Sequence, residues 1–492
     1  MSDFEALVRG FINQPLEIIL RILFYLPSCS WWYFVELDSL RPYLLPFILK
    51  KVCVERDFHE DEDDQPLKKR YDFCYHMYSD FDTLSDLELF VEKYGMYPKE
   101  LEFGFFVDHY IHVCSQPDRD IEYMFLDRVN EYEDLLTKTE MIHFLDIFEV
   151  DDSSLEPLKE LCGRFNKIGT FKIQCEHIEI HELAEYLSIL PTTLKCLNVY
   201  SSEIAAFDGF LKFSNLTDLV VDFVDIKIFQ FLPETIKSLE VYTFIDDDDT
   251  EVASLDRYPS YLKKLTTRLK DRRILHKVGD LLPKLPKLKS IEIISDILTN
   301  VDDLNLPDTI RELKFERCPS LTNYSCLSKL PNLTDLVVGR CPYPYDLFTE
   351  DNNDSLKLRW FEYAGNADAV TELRNIKFPG SLKTLILSCS IIIGDWELPK
   401  NLQVLRFRKV SIEGGFYIKL PWTLQRVTLT KTNIRKLEEI DIEFATGLQL
   451  LDVELNDGLV GAERSTWRFP RSVDILYDYK DEYDSDHLYY YR

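Results

Sequence analysis

Three arginines and a tryptophan form the clearest candidate for recognition chemistry in this chain. Arg406, Arg408 and Arg426 lie in a sequence whose formal net charge is −29, so they stand out from an acidic background. A guanidinium binds a carboxylate or a phosphate through two parallel hydrogen bonds. Together with Trp360, these arginines predict a binding site for an acidic or phosphorylated protein segment.

Two further groups have side chains of the kind that bind metal ions. His177 and His181 are four residues apart, so they share one face if the segment is helical. A solvated pair on a helix surface is favoured over a metal site. The run Asp246–Asp249 lacks the alternating acids and the glycine of a calcium-binding loop, so a solvated loop is favoured there. We predict no metal site and no cofactor.

Motifs of nucleotide-binding proteins and hydrolases are absent from the sequence. It contains no G-x-x-x-x-G-K-[ST], no G-x-G-x-x-G and no G-x-S-x-G. Eleven cysteines occur, but none has the C-x-x-C spacing of a zinc ribbon or a thioredoxin-type redox motif. We therefore expect a protein that is not an enzyme and has no catalytic residues.

Short repeats are the elements that position the arginines. The motif L-x-x-L-x-L, preceded by a proline or by another residue at the equivalent position, recurs in thirteen registers at steps of 19 to 27 residues. Ile, Val or Phe sometimes replaces Leu. Strong copies begin at Leu190, Leu232, Leu285, Leu306, Leu330, Phe378, Leu398 and Leu420. Weaker copies begin at Phe213, Tyr258, Leu358, Gly447 and Phe469, and fainter ones have registers near 139 and 165.

This motif and its period resemble those of the leucine-rich-repeat family over roughly residues 139–476. The resemblance implies an α/β fold, a leucine-rich-repeat solenoid shaped like a horseshoe with a parallel sheet on its concave side. It also implies a small polar residue, Asn or Cys, that satisfies backbone groups at the bend after each strand. That position holds Cys318, Cys341, Asn366 and Asn456, with Ser202, Asp296, Ser390 and Thr432 as substitutes.

Side chains between the two apolar residues of L-x-L point away from the core, where a partner can reach them. Along the repeats these positions change from acidic and aromatic to mixed and then to basic. They include Asn198, Tyr200, Asp218, Asp222, Glu240 and Tyr242, then Lys264, Arg268, Glu292, Glu312, Lys314 and Glu316, then the candidate site. An alternative for the arginines needs no ligand, because Arg426 could pair with Asp452 and Glu454 on a neighbouring strand.

The N-terminal residues 14–26 read Q-P-L-E-I-I-L-R-I-L-F-Y-L and predict an amphipathic helix. Pro15 suits the first helical turn, Glu17 complements the helix dipole, and Ile18, Ile22 and Leu26 share one face. Taken alone, such a helix could equally be a cap that packs on the first repeat.

The same segment resembles the opening of the F-box, a small helical module, and the resemblance covers Phe11–Val52. In its second half, Pro42 and Pro46 are expected to interrupt the later helices. F-box modules bind a Skp-type adaptor. By resemblance, the adaptor-binding residues are Pro15, Leu16, Glu17, Ile18, Ile22 and Leu26.

An F-box followed by leucine-rich repeats is the order found in one class of ubiquitin-ligase substrate receptors. The resemblance therefore implies a substrate-recognition subunit of a Skp–cullin–F-box ligase, linked to a cullin through the adaptor and binding a target protein on its repeats. One alternative is a structural F-box protein, for instance in a kinetochore assembly. Another is a plain leucine-rich-repeat scaffold.

These patterns predict four segments. They are an F-box-like module at 1–54, an acidic linker with helical or degenerate-repeat structure at 55–138, the solenoid at 139–476 and an acidic, Tyr-rich tail at 477–492. The large negative charge disfavours direct binding to nucleic acid or an anionic membrane, since both require a positive surface.

The expected compartment is the cytoplasm or the nucleus. The chain starts MSDFE, which is acidic where a secretory signal would be basic. The longest uncharged stretch, Ile22–Val35, is too short to span a bilayer.

Overall fold

The computed structural model describes most of the repeat region and parts of the N-terminal segment. The described residues are 14–15, 17–19, 21, 35–38, 40–54, 79–81, 84–103, 129–149, 155–165, 167–175, 180–201, 208–245, 257–353, 355–366, 371–394, 396–415, 417–436, 439–441, 447–453, 455–456, 459 and 474–476. They fall into two compact units. Unit 1 comprises Met1–Phe223 and Phe231–Ile236, and unit 2 comprises Val224–Gln230 and Lys237–Arg492.

Unit 1 is built on parallel strands with helices between them. The strands are β1 (Lys51–Val54), β2 (Ser79–Phe81), β3 (Glu100–Phe103), β4 (Met141–Glu149), β5 (Ile168–Cys175), β6 (Cys196–Ser201) and β7 (Asp218–Asp225). Their order is β2-β1-β3-β4-β5-β6-β7. The helices are α1 (Arg41–Ile48), α2 (Leu84–Tyr94), α3 (Glu133–Lys138), α4 (Leu155–Arg164) and α5 (Ile180–Ile189), with a 3-10 helix at Asp208–Lys212.

Alternate strand residues of unit 1 form its core. Leu101 of β3 lies opposite Val52 of β1 on one side and Ile142 of β4 on the other, and Ile142 lies opposite Ile168 of β5. All four side chains are buried. Full burial of each such side chain stabilises the fold by about 1.5–3 kcal/mol. The ladder therefore includes β1 and β2, which lie upstream of the residues where the repeats were predicted to start.

Unit 2 continues the same pattern with more strands. They are β8 (Ser238–Ile245), β9 (Lys264–Leu269), β10 (Ser290–Ser295), β11 (Glu312–Glu316), β12 (Asp335–Gly339), β13 (Trp360–Ala364), β14 (Thr371–Arg374), β15 (Thr384–Ile393), β16 (Val404–Ile412), β17 (Ile418–Lys419), β18 (Arg426–Thr430), β19 (Ile440–Asp441), β20 (Leu450–Asp452) and β21 (Asp474–Leu476). Helices α6 (Ile228–Phe231), α7 (Arg272–Leu281) and α8 (Glu350–Asn353) accompany them, with 3-10 helices at Leu282–Lys284, Val301–Leu304 and Ser325–Lys329.

Strands β8 to β13, β15, β16, β18, β20 and β21 pair in parallel, each with the next in this order. Each of the thirteen predicted L-x-L registers, from β6 to β21, is a strand, so the leucine-rich-repeat fold is confirmed. The fainter registers near 139 and 165 are followed by β4 and β5. Strand β14 adds a short pairing to the end of β15, and β17 pairs with β19.

A left-handed residue directly precedes the polar bend residue in five repeats. These residues are Arg317, Arg340, Cys389, Lys431 and Leu455, with φ values of 53°, 53°, 53°, 52° and 56°. The conformation costs a non-glycine residue roughly 1–2 kcal/mol. Inter-repeat hydrogen bonds offset this cost, because the Arg317 N–H donates to the Gly339 carbonyl at 2.8 Å and the Arg340 N–H to Ala364 at 2.7 Å.

The bend residues themselves bind backbone groups, as predicted. The Cys341 sulfur accepts the backbone N–H of Cys318 at 3.2 Å, and the Cys318 thiol donates to the Ile293 carbonyl at 3.6 Å. Asn456 accepts the Thr432 N–H at 2.7 Å through Oδ1. These side chains connect neighbouring repeats where the backbone turns away from the sheet.

One bend differs from the prediction. Asp296 was expected to bind the backbone there, but the buried Ser295 has this role. The Ser295 hydroxyl donates to the Leu269 carbonyl at 2.9 Å and accepts the Leu298 N–H at 3.1 Å. Asp296 instead lies at 3.8 Å from Arg268, with both side chains largely exposed. A hydroxyl fits this buried position without bringing a charge into it.

The prolines near the N-terminus do not interrupt the helix, contrary to expectation. Helix α1 contains both Pro42 and Pro46. Pro42 lies in the first turn of the helix, where a backbone N–H would have no acceptor within the helix. Proline is therefore favoured at this position. Pro46 removes one bond from the helix, and its neighbours Leu44, Leu45 and Ile48 are buried. Packing of this apolar face outweighs the lost hydrogen bond.

Several predictions concern residues outside the described part of the chain. These are Leu16, Ile22 and Leu26 of the F-box-like segment, His177, Ser202, Asp246–Asp249, Glu454, the acidic run at 59–64 and the tail at 477–492. Among the helices that the structure describes, none combines the length and apolar character needed to cross a membrane.

Candidate ligand-binding face

Outward-pointing strand residues of unit 2 form a continuous face, which we call the outer face. Some of these residues lie directly opposite one another on successive strands and form a row along the face, which we call the central row. The row consists of Glu240, Thr266, Glu292, Lys314, Val337, Glu362, Ile386, Arg406, Thr428 and Asp452. Neighbouring members are separated by about 4.8 Å, the spacing of paired strands. Charges on adjacent strands therefore act on one another and on any shared ligand.

The three predicted arginines lie on the neighbouring strands β16 and β18. Arg406 is in the central row, Arg408 follows two residues later on the same strand, and Arg426 lies opposite Val404. Arg426 is exposed, while the other two are partly buried. Asp452 on β20 lies opposite Thr428, two residues along β18 from Arg426, so the geometry accommodates both the ligand interpretation and a pairing of Arg426 with Asp452. Glu454 lies outside the described residues.

Trp360 is separated from the arginines and contacts an acid instead. It lies on β13, and strand β15 separates it from the arginines of β16. Its indole donates a hydrogen bond to Glu362, two residues later on the same strand. Glu362 is only 7% exposed. The tryptophan therefore lies beside a buried carboxylate, and one strand separates it from Arg406 and Arg408.

A second group of charges, which we call the carboxylate cluster, comprises Glu292, Lys314, Glu316 and Glu362. Lys314 Nζ is 2.7 Å from Glu292 Oε1 on the neighbouring strand and 3.9 Å from Glu316 Oε2 on its own strand. The side chains of this ion-paired trio are between 16% and 20% exposed. Glu292 and Glu316 thus share one ammonium group, and Glu362 lies two strands from Lys314 in the central row.

A glycine makes room for one of these carboxylates. Gly339 lies opposite Glu316, and a Cβ at Gly339 would overlap the Glu316 carboxylate, Oε2 most closely. The carboxylate therefore lies over the glycine backbone. Ala364 is the next residue in this register, followed by Ser388. These three residues therefore place only small side chains beside Glu316 and Glu362.

Burial raises the pKa of both Glu316 and Glu362 above the ordinary value of a glutamate. For Glu316, loss of hydration outweighs the opposing effects of Lys314 and Arg340. For Glu362, loss of hydration outweighs the Trp360 hydrogen bond and the charges of Lys314 and Arg406. The nearby cations therefore offset only part of the free-energy cost of desolvating these carboxylates.

A buried hydroxyl borders the carboxylate cluster. Thr266 lies opposite Glu292 in the central row and is 8% exposed. Its Oγ1 has no hydrogen-bond partner. An unpaired buried hydroxyl costs about 1–3 kcal/mol, so this position is more favourable when a further polar group reaches it.

Unit 1 has a buried histidine on its strand β4. His143 lies between Glu102 and Thr170 in register and is 6% exposed. Its Nδ1 is 2.8 Å from the Thr170 hydroxyl, while Nε2 lies 3.8 Å from Glu100 Oε2 and has no hydrogen bond. A β-bulge at Gly169 accommodates the ring, since a Cβ there would lie 2.5 Å from His143 Cε1.

Charged groups surround this histidine. Lys51 pairs with Glu102 at 2.7 Å, and Lys195 lies 3.3 Å from Glu100. Burial lowers the pKa of His143, and this effect outweighs the opposing influence of Glu102 and Glu100. The imidazole is thus neutral at physiological pH. Its buried, bonded position is that of a structural residue in the sheet.

The described residues do not favour a reactive cysteine or a metal site. Cys196 follows Thr170 in the same register row, but burial raises the pKa of its thiol to about 11, so the reactive thiolate is disfavoured. Throughout the part of the chain that the structure describes, no group of three or more His, Cys, Asp and Glu side chains is placed to hold a metal ion.

The structure describes three of the six predicted adaptor-binding residues. Pro15 and Glu17 are exposed, and Ile18 is 45% exposed, while the adjacent Ile19 is buried. The N–H groups of Ile18 and Ile19 both donate to the Pro15 carbonyl, at 2.9 and 3.1 Å, which starts the predicted helix at Pro15. The role of these residues stays a prediction.

The carboxylate cluster was only partly visible in the sequence. The L-x-L pattern placed Glu292, Lys314 and Glu316 on the outward face, but it assigned them no role. Glu362 and Gly339 were missed. The repeat segment that starts at Leu358 predicts that Glu362 points outward. It does not predict the burial of Glu362, which depends on Trp360 and on the neighbouring strands.

No protein-family model matches the chain, and no curated protein sequence does either. Among solved structures, an internalin from Listeria monocytogenes is similar, with 14% identity, a TM-score of 0.33, and coverage of 61% of this chain and 88% of that one. A leucine-rich-repeat protein from Leptospira interrogans has 16% identity, a TM-score of 0.31, and coverage of 63% and 94%. The fold of this chain is established by its own strands and hydrogen bonds.

Proposed function

We propose that this chain is a non-catalytic protein-interaction subunit whose repeats present the outer face to a protein partner. The observation that carries this proposal is the central row of unit 2, where charged side chains are held at strand spacing above a leucine core. Because the strands fix their positions, these groups lose little conformational freedom on binding. An ordered charged array of this kind suits recognition of a protein surface or segment.

The finer proposal is that the chain is the substrate-recognition subunit of a Skp–cullin–F-box type ubiquitin ligase. The N-terminal segment would bind the Skp-type adaptor, and the repeats would bind the target. Catalysis belongs to the recruited enzymes, and this chain contributes proximity. The proposal rests on the F-box resemblance of residues 14–26 followed by the repeats.

Exposed apolar side chains in the first 54 residues support an adaptor-binding role. Tyr43 and Phe47 are 45% and 48% exposed and lie four residues apart on helix α1, so they share one face. Ile18 is exposed to a similar extent on the preceding helical segment. A helical module that exposes large apolar side chains gains by covering them with a partner.

A pull-down of purified Skp-type adaptor by the full chain tests the adaptor contact. Ile18→Glu and Phe47→Glu should abolish capture, because each places a charge in the apolar contact. Leu89→Glu is the matched control, since Leu89 is 63% exposed on helix α2 and lies outside the F-box-like segment. Capture should persist in this variant.

The alternatives give different results in the same experiment. If the intact chain captures no adaptor, the ligase proposal is wrong and a plain leucine-rich-repeat scaffold is favoured. If the adaptor binds but no cullin co-purifies, the structural F-box alternative is favoured. If both bind, a target whose half-life depends on this chain would complete the ligase assignment.

A further inference from the structure

We infer that the carboxylate cluster of unit 2 is the docking site for a lysine or arginine side chain carried by a protein partner. The inference rests on the proposed function, because it names the chemistry of the segment that the outer face binds. It differs from the expectation drawn from the three arginines, which favour an acidic or phosphorylated partner. The carboxylate cluster lies on β10, β11 and β13, and β15 separates β13 from Arg406 and Arg408 on β16.

Within the carboxylate cluster, three carboxylates accompany one lysine. Glu292, Glu316 and Glu362 contribute three negative charges. Lys314 lies within 4 Å of Glu292 and Glu316, and Arg340 and Arg317 also act on Glu316. The Lys314 ammonium is committed mainly to Glu292, at 2.7 Å, and is more distant from Glu316, at 3.9 Å. Arg406 acts on Glu362 from two strands away. A ligand cation between Glu316 and Glu362 would complete the pairing.

Desolvation strengthens the attraction to such a cation. The strands and Trp360 bury Glu362 to 7% exposure, and the Glu316 side chain is 16% exposed. Carboxylates in this environment have already lost much of their hydration in the free protein, so a cation that pairs with them removes little further water. Charge pairs also interact more strongly away from bulk water.

The small side chains beside the carboxylates provide access. Gly339 and Ala364 lie next to Glu316 in register, and Val337 separates Lys314 from Glu362 in the central row. None of these three side chains is long enough to cover the carboxylates from above. A lysine or arginine side chain can therefore lie across β12, with its aliphatic part over Val337 and Gly339.

The unpaired hydroxyl of Thr266 is an independent indication of a missing polar partner. It is buried on the same face, opposite Glu292, and its Oγ1 has no hydrogen bond. A hydroxyl oxygen accepts a hydrogen bond from an ammonium, a guanidinium or a backbone N–H. A partner segment that crosses from β12 towards β9 would bring such a donor to it.

Selection of a displayed library of random peptides against the full-length chain tests the inference. The expected result is enrichment of lysine or arginine over aspartate and glutamate among the bound peptides. The strongest binder is then measured with the double variant Glu316→Gln and Glu362→Gln, which should weaken binding about tenfold or more for each carboxylate. Glu312→Gln is the matched control, because it removes the same charge from strand β11 at an exposed position outside the cluster.

The outcomes separate this inference from the proposed function. If acidic peptides are enriched and their binding is lost in Arg406→Gln or Arg408→Gln, the outer face binds proteins but the cationic docking site is wrong. If no peptide is enriched, both the proposed function and the inference are contradicted. If basic peptides bind equally well to the double variant, they bind elsewhere and the inference is wrong.

Discussion

The Glu316 carboxylate lies directly over the backbone of Gly339 on the neighbouring strand. No other residue type at position 339 leaves room for this arrangement, since even a Cβ would overlap Oε2. Glu316 is thereby kept against the sheet, where it loses hydration and remains within 3.9 Å of Lys314. The glycine thus helps to set the electrostatics of the outer face.

Gly339→Ala should return the pKa of Glu316 towards the ordinary glutamate value of 4.5, because the added methyl group displaces the carboxylate into solvent. An NMR titration of the side-chain carboxyl carbons measures this pKa directly. Gly380→Ala is the control, since nothing lies within 4 Å of a Cβ there. An unchanged pKa of Glu316 in Gly339→Ala would show that its burial does not depend on the glycine.

Replacing either desolvated carboxylate should stabilise the free protein at neutral pH. A carboxyl whose folded pKa is raised contributes stability below that pKa and loses it as the pH rises through it. Glu316→Gln and Glu362→Gln remove this cost, and each should raise the free energy of unfolding by on the order of 1 kcal/mol at neutral pH. Chemical denaturation of the full chain at several pH values measures the difference.

The same series includes its own control. Glu292 is paired with Lys314 at 2.7 Å, so Glu292→Gln should not stabilise the protein. The advantage of the two stabilising variants should shrink at acidic pH, where the wild-type carboxyls are protonated. Lower stability of both variants at neutral pH would argue against unfavourable desolvation at this site.

Stability of unit 1 should fall as the pH decreases below about 6.5, the ordinary pKa of histidine. Burial lowers the folded pKa of His143, so its contribution to stability is present above the unfolded value and is lost towards the folded pKa. Thr170, Glu100, Glu102, Lys51 and Lys195 face the ring and determine how far the loss extends.

His143→Gln should flatten this pH dependence, because glutamine does not titrate and can still bond Thr170. Hydrogen exchange of the β3, β4 and β5 backbone amides reports on this unit. His276→Gln on helix α7 is the control, since His276 is exposed. Equal pH slopes in wild type and His143→Gln would contradict the assignment.

Asn456→Ala should destabilise unit 2 by about 2–3 kcal/mol, the scale expected for losing several buried hydrogen bonds. The Asn456 side chain is 3% exposed and bonds the Thr432 N–H at 2.7 Å and the Val453 carbonyl at 2.7 Å. Asn401→Ala should cost far less, because Asn401 is exposed and donates one bond, to Gly380. Thermal unfolding of both variants provides the comparison.

The fold could be predicted from the sequence because each repeat carries its own local signal. Two apolar residues at L-x-L identify a strand without reference to distant residues, and a Cys or Asn such as Cys341 identifies the bend. The repeat pattern does not predict differences of a single residue between repeats. Ser295 replaces Asp296 at one bend because a buried position favours a hydroxyl over a charge.

The candidate sites were harder to predict because they depend on register and burial. The bulge at Gly169 shifts the pairing of β5 by one residue, which places His143 opposite Thr170, and no repeat template specifies this. The outward position of Glu362 follows from the pattern, but its desolvation arises from contacts with other strands. The arginines were more conspicuous in the sequence than the carboxylates, since they contrast with the net charge.

The most direct test of the account is oxidative footprinting of the full chain with and without the strongest peptide from the library selection. Trp360 lies on the outer face beside Glu362, whereas Trp422 is 65% exposed and precedes strand β18. If the peptide binds at the carboxylate cluster, it should protect Trp360 from oxidation and leave the oxidation of Trp422 unchanged. Protection of Trp422 without protection of Trp360 would contradict binding at the carboxylate cluster of the outer face.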